Sequence, residues 1–364
     1  MMDLPVIQAD LGQLKHNARV ILDACNARGV TLAAVTKVVC ADLGVVSALS
    51  ASGIGLLADS RMQNLTRLPD TLPRMLLRLA DPCEAEEIVL QAQYSLQSGV
   101  QAIKALGAAA RKLKKKHRII LMIDLGDLRE GIFYRDERQI LETAGEIVRD
   151  EGLELAGVGT NLTCFGGVLP DERNLGFLIS IAEKLRRTYY IPLPIVSGGN
   201  SSSLYLLFEG RLPAGINQLR IGESLMLGMD TSCAEPFPQL SQRVFTLYAR
   251  LIEVQVKPSL PEGGTGPNAF GEEVSFPDLG PMRRGILAVG LQDTDLKRLL
   301  PLDSDIKVLG ASSDHLIIDL THAKPYQVGD VLGFSPGYGA LLKVYTSPYV
   351  RKTYTNNEEN DNHA

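Results

Sequence analysis

Eight short apolar runs, each followed by a stretch of helical spacing, fill the first two thirds of the chain, and this alternation constrains the fold more than any other feature. The runs span residues 32–37, 54–59, 75–80, 94–98, 119–124, 155–160, 193–197 and 218–222. Amphipathic stretches precede and separate them. Residues 10–25 place Leu11, Leu14, Ala18, Ile21 and Leu22 on one face behind Asp10, a capping residue type. Residues 137–151 bring Ile140, Ala144, Ile147 and Val148 to the same spacing. Eight strand–helix units in sequence predict a (β/α)8 TIM barrel. An open doubly wound sheet would need a glycine-rich turn after its first strand, and the segment TKVVCAD offers none.

Past Pro236 the spacing changes. Residues 235–238, Glu-Pro-Phe-Pro, read as a linker, and apolar alternation of period two follows at 245–256, 285–291, 305–309, 315–320, 331–334 and 340–345. Glycine- and proline-rich turns such as 258–271 separate these runs. The pattern predicts a small, mainly antiparallel β domain over 236–354. The opening residues 4–8 are too short to stand alone and are expected to pair into it. The domain boundaries are therefore expected at 9–235 for the barrel and 236–354, with 1–8, for the β domain. The polar end, 355–364, is expected to be disordered.

Composition narrows the partners. A net charge of −5, from 37 basic and 42 acidic residues, argues against a dedicated nucleic-acid binder. The one basic run, 112–118, contains no aromatic residue and reads as a solvated turn. No apolar run reaches the length that spans a membrane, and the acidic residues near the start fit no signal peptide. Cys25, Cys40, Cys83, Cys164 and Cys233 are scattered and lack partners at metal-ligand spacing, so no metal is expected. They read as reduced thiols of a cytoplasmic protein.

Chemistry gathers just past the expected strands. Lys37 ends the first run, and an ammonium at the end of a buried strand needs a reason, because such groups resist desolvation. In a parallel barrel that end is where catalytic groups project, and a desolvated lysine forms Schiff bases with carbonyls. A lysine that simply emerges into solvent is the commoner case for one strand taken alone. The other strand ends carry Asp59, Ser60 and Arg61, then Arg78, Ser98, Asp124 with Arg129, Asn161, the run from Gly198 to Ser201, and Arg220 with Gly222 and Glu223. The segments SGGNSSSL and RIGE offer backbone N–H groups and hydroxyls on neighbouring strand ends, a setting that suits phosphate. Gly-Gly-Asn alone is usually a turn. A Schiff-base lysine, a phosphate cradle and strand-end arginines together suggest pyridoxal 5'-phosphate.

At these residues the chain resembles the alanine racemase family, and within it the ornithine racemase branch. The segments that carry the resemblance are DLGQLKHN, AVTKVVC, IDLGDLREG, GVGTNLTCFGG, SGGNSSS, LRIGESLMLG, AVGLQD, LGASSDHLIIDL and SPYVRKTY, spread over nearly the whole chain. The resemblance implies a pyridoxal-phosphate barrel followed by a β domain. Carried over, Lys37 matches the lysine that holds the cofactor, and Arg220 the arginine at the pyridine nitrogen. Arg129 matches the arginine near the cofactor's phenolic oxygen and the substrate carboxylate. Asn161 stands where alanine racemases carry a histidine packed on the ring. Asn200, Ser201, Gly222 and Glu223 match phosphate-binding positions, the last two through backbone N–H. Tyr354 matches a C-terminal tyrosine near the phosphate. Ser313 matches a position whose N–H reaches the substrate carboxylate in a neighbouring subunit.

Two departures bear on the reaction. Leu291 replaces the tyrosine that acts as the second base, and Ala41 replaces a phosphate-binding tyrosine. Cys164, Asp293, Ser313, His315 and Tyr354 remain as candidates for the second proton donor, and each also has a purely structural reading. The lost aromatics imply room for a side chain longer than alanine's. What the resemblance implies is an isomerase, a racemase exchanging the α-proton of a basic amino acid, ornithine first and lysine second. Asp293 is the first choice for the carboxylate that meets the distal ammonium, ahead of Glu223 and Asp314. Rival readings are an alanine or broad-specificity racemase, a lyase on the same barrel, and a non-enzymatic pyridoxal-phosphate-binding protein. A homodimer with shared active sites is expected, with no nucleic-acid or membrane partner.

Overall fold

A computed structural model describes residues 4–267, 271, 273 and 275–357. Eight parallel strands close a barrel: β1 (Thr31–Val35), β2 (Leu57–Asp59), β3 (Arg74–Leu76), β4 (Tyr94–Gln97), β5 (His117–Asp124), β6 (Leu153–Gly159), β7 (Ile195–Ser197) and β8 (Gln218–Ile221). Each pairs in parallel with the next, and β8 closes onto β1 with Ile221 opposite Ala34. All eight expected strands are present. Their continuous apolar character follows from burial on both faces, by the barrel interior and by the outer helices. Ala33, Val35, Leu56, Ala58, Met75, Leu96, Ile120 and Met122 pack together as one cluster. Gly159 makes room for it, since a Cβ there would stand 3.1 Å from Ile120 and 3.3 Å from the sulfur of Met122.

Of the described residues, Leu11–Gln242 form one compact unit, and those before and after form the other. The barrel unit thus runs past the boundary expected at 235. Met229–Asp230 and Glu235–Pro236 pair as a two-residue ribbon, and Phe237 and Leu240 are buried. On helix α1 (Leu11–Asn26), Asn17 is buried among Leu14, Ala18 and Ile21. Its amide accepts from Ser241 N at 2.7 Å and donates to Ser241 O at 2.9 Å. The proline-rich stretch is therefore packed, because its apolar residues reach a core.

The second unit is built on β9 (Phe245–Pro258), β10 (Pro281–Leu287), β11 (Leu299–Pro301), β12 (Lys307–Ala311), β13 (Leu316–Asp319), β14 (Val331–Pro336) and β15 (Arg351–Thr355). The antiparallel order is β11–β14–β9–β10–β13–β12. The N-terminal strand Val6–Asp10 pairs antiparallel with β9 and parallel with β15. Phe245, Leu247, Ala249 and Leu251 of β9 are buried in strict alternation, as the sequence spacing implies. Residues 340–345 differ from expectation. They lie in a helix, Tyr338–Thr346, that buries Ala340, Leu341, Val344 and Tyr345. Those positions fall at i, i+1, i+4 and i+5, which a helix buries together and a strand does not. Residues 358–364 of the polar end, and 268–270 of the 258–271 turn, lie outside the described residues.

Candidate active site

The chain leaves β1 at Val35, and Lys37 opens a single 3-10 turn, Lys37–Val39. Thr36, directly before it, is buried and donates from Oγ1 to Asp59 Oδ2 at 2.8 Å. Asp59, at the end of β2, also accepts from Asn64 Nδ2 and from Arg61 N, each at 3.0 Å. Burial pushes its carboxyl pKa up, and these hydrogen bonds oppose the rise. The turn that carries Lys37 is thus tied to the neighbouring strand.

Beside it, β8 leads through Gly222 into the short helix Glu223–Leu227. A Cβ on Gly222 would lie 3.1 Å from Val35 Cβ, so its absence lets the two strand ends approach. The N–H groups of Gly222 and Ser224 point at Ser201 Oγ, at 3.3 and 3.2 Å. Ser201 starts the 3-10 turn after β7, which Asn200 caps by accepting from Ser202 N at 2.8 Å. Asn200 Nδ2 donates in turn to Leu162 O at 3.0 Å and to Cys164 Sγ at 3.1 Å. Gly199 between these strands has φ +115°, and a Cβ there would meet Ser203 Oγ at 2.7 Å. Three strand ends are laced together by these contacts.

Arg220 is 2% exposed. It donates to Ser197 Oγ, to Thr160 O and, at 2.8 Å, to Asn161 Oδ1. Burial lowers its pKa to about 10, while the nearby Glu130 charge opposes the fall, so the guanidinium stays charged at neutral pH. Asn161 passes the chain of bonds on, since its Nδ2 donates to Glu130 Oε1. Glu130 is held by Arg129 through both Nε and Nη2. Burial pushes the Glu130 pKa up, but the Arg129 pair and the Asn161 bond outweigh it and hold the carboxylate below its ordinary value.

Two aspartates fix the loops that carry these groups. Asp124 Oδ1 accepts from the N–H of Gly126 at 2.8 Å and of Leu128 at 3.2 Å. Asp127, fully buried, accepts from the N–H groups of Cys164, Phe165 and Val168 at 2.8–3.1 Å. The loops after β5 and β6 are therefore locked to each other. Cys164 is exposed, and its thiol lies within the fields of Arg129, Asp127 and Lys37.

The donor set suits a small anionic aromatic cofactor that carries a carbonyl. It offers one lysine amine, hydroxyl and N–H donors on the two adjoining strand ends, and a buried cation with only neutral direct acceptors. Thr160 Oγ1, at the end of β6, is buried without a hydrogen-bond partner among the described residues.

The family model for the alanine racemase N-terminal domain matches residues 9–230. The chain belongs to the alanine racemase family. It is 45% identical over 350 residues to the ornithine racemase of Acetoanaerobium sticklandii, covering 96% of this chain and 99% of that protein. It is 39% identical over 353 residues to the lysine racemase of Thermotoga maritima, covering 96% and 98%. A structure of the alanine racemase from Bartonella henselae, with covalently bound pyridoxal phosphate, shares the fold. Its TM-score is 0.71 at 17% identity, over 96% of this chain and 99% of that one.

Within this member of the alanine racemase family, Lys37, Arg129, Asn161, Asn200, Ser201, Arg220, Gly222 and Glu223 all stand at the C-terminal ends of β1, β5, β6, β7 and β8. Asp293, Ser313 and Tyr354 belong to the other unit. There Tyr354 stands on β15 opposite Ala9. Ser313 O accepts from Gln292 N at 2.8 Å, and Leu291 N donates to Ser312 O at 2.9 Å. Asp314 pairs with His315 at 3.3 Å. Asp293 has hydrogen-bond partners within its own unit. It is 6% exposed, and its Oδ1 accepts from Ser347 Oγ at 2.8 Å while Oδ2 faces Gly290 N at 3.4 Å. These two hydrogen bonds tie turns of that unit together. Four residues of the barrel end were not singled out in the sequence: Glu130, Asp127, Ser197 and Ser224. Each nevertheless lies within one of the quoted segments, Glu130 and Asp127 in IDLGDLREG, Ser197 in SGGNSSS and Ser224 in LRIGESLMLG. No helix among the described residues is long and apolar enough to cross a membrane.

Proposed function

We propose that the protein is a pyridoxal-phosphate-dependent racemase that interconverts the L and D forms of a basic amino acid, ornithine first and lysine second. The isomerase class follows from two curated racemases matched along almost their whole length. What supports the site is that Lys37, Ser201, the N–H groups of Gly222 and Ser224, and buried Arg220 stand at the same end of the barrel strands. Among the described residues no group of three His, Cys, Asp or Glu side chains is placed to hold an ion.

The chemistry that bound pyridoxal phosphate supplies is a carbonyl for amine capture and electron withdrawal that acidifies the α-proton. Lys37 holds the cofactor and, once released, takes and returns the α-proton at Nζ on one face. Ser201 and the N–H groups around Gly222 and Glu223 bind the phosphate, with Asn200 fixing the turn and Tyr354 adding a hydroxyl. Arg220 donates hydrogen bonds to the ring nitrogen without giving up a proton, which keeps the ring a modest electron sink and favours rapid reprotonation over side reactions. Arg129 takes the substrate carboxylate, helped by the Ser313 N–H. Cys164, exposed beside the barrel end, is the second-face candidate that shares a unit with Lys37. The working unit is a cytoplasmic homodimer that shares its sites.

Purified protein given L-ornithine, L-lysine or L-alanine in turn, with products separated on a chiral column, tests the reading. D-ornithine should form fastest, and Lys37→Ala should lose both racemisation and the yellow, borohydride-reducible chromophore. A variant that keeps the chromophore would refute the lysine assignment, and a wild type that prefers alanine would refute the substrate.

A further inference from the structure

We propose that Glu130 is a positioning residue of this site, which aims Arg129 at the substrate carboxylate and, through Asn161, sets the orientation and charge environment of Arg220. The inference rests on the reading of the barrel end as a pyridoxal-phosphate site and deepens it. A continuous polar chain carries it: Arg129 on Glu130, Glu130 on Asn161, and Asn161 on Arg220.

Direction along this chain is forced. A guanidinium only donates, so Asn161 must turn Oδ1 to Arg220 and is left with Nδ2 for its other neighbour. An ionised carboxylate is the partner that accepts there, and Glu130 occupies that place. The Arg129–Glu130 pair is also asymmetric. The Glu130 side chain is 13% exposed and the Arg129 side chain 39%, so the carboxylate is the inner anchor and the guanidinium faces outward. Glu130 takes the Nε and Nη2 edge, leaving Nη1 and the remaining Nη2 proton for an incoming carboxylate. On the other side, the direct acceptors of Arg220 are a hydroxyl, a carbonyl and an amide, all neutral. The charge that supports this buried cation sits one amide away, on Glu130. A single carboxylate thereby serves the two arginines that face substrate and ring.

The test compares Glu130→Gln, which keeps the shape and an oxygen for Asn161 but removes the charge, with Glu130→Asp, which keeps the charge. In the holoenzyme, Glu130→Gln should raise the KM for ornithine about tenfold, with a smaller change in kcat, and shift the chromophore's absorption maximum. Glu130→Asp should recover much of both, and the melting temperatures should stay close to wild type. In cofactor-free protein, the slowly exchanging Nε–H signal of Arg129 in the NMR spectrum should be present in wild type and lost in Glu130→Gln. Wild-type KM, absorption and Nε–H signal in Glu130→Gln would overturn the proposal. So would a fall in melting temperature and kcat that Glu130→Asp does not rescue, which marks a role in folding alone. If wild type took up no pyridoxal phosphate, the functional reading would fall, and the Nε–H signal would still decide whether Glu130 anchors Arg129.

Discussion

Arg220 shows how much a single side chain settles at this site. A planar fork reaches three acceptors on two neighbouring strand ends at once, and no other cationic side chain has that geometry. Arg220→Lys keeps the charge but supplies one tetrahedral head, leaving buried acceptors among Thr160 O, Ser197 Oγ and Asn161 Oδ1 unpaired. Each orphaned buried group costs about 1–3 kcal/mol, so the variant should melt several degrees lower and lose at least tenfold in kcat/KM. Unchanged melting and kinetics would show that the fork does not matter. Lys37, Arg220 and the SGGNSSS turn were legible in the sequence because polar groups that interrupt apolar strand ends have few places to go. Glu130 was not, since an acid beside an arginine on a loop reads as a solvated ion pair until Asn161 is seen to bury it. The partner of Asp293 was hidden for a related reason. Nearness to a motif does not tell which way a side chain turns, and here it turns to Ser347.

Elements were easier to read than residues wherever burial was two-sided. The eight barrel strands stand out because both faces shed water, whereas 340–345 combines Leu, Val and Tyr in a run whose short length suits strand or helix alike. One strand carries a pH signature. His117 opens β5, is 1% exposed, and has Nε2 bonded to Ser95 Oγ at 2.8 Å. Burial lowers its pKa from 6.5 to about 4. Because the folded value lies below the unfolded one, the unfolded chain binds more protons between those limits. The contribution to stability is complete above about pH 6.5 and lost as pH falls toward about 4, with a full span of about 3 kcal/mol. His117→Gln retains a partner for Ser95 and does not titrate. Urea midpoints measured from pH 7 down to pH 4.5 should therefore fall more steeply for wild type than for the variant, and parallel curves would show that the histidine is not buried neutral.

At the scale of the whole molecule, the residues carried over from the family divide between two cores. The barrel unit holds Lys37, Arg129, Asn161, Asn200, Ser201, Arg220, Gly222 and Glu223, and the β unit holds Ser313 and Tyr354. Under the proposed homodimer each site draws Ser313 from the second copy, and this makes a quantitative statement about mixtures. Lys37→Ala removes the amine, while Ser313→Pro removes the backbone N–H proposed to meet the substrate carboxylate and leaves the Ser313 carbonyl for Gln292. Each variant alone should be inactive or nearly so. Co-expressed in equal amounts, random pairing makes half of the dimers mixed. A mixed dimer has one site with both lesions and one with neither, so activity should recover to about a quarter of wild type. Sites made within a single copy predict no recovery at any ratio of the two variants. Melting curves of each variant, matched to wild type, keep a folding defect from passing as a catalytic one, and a quarter-strength signal from two silent proteins has no source other than a site shared between copies.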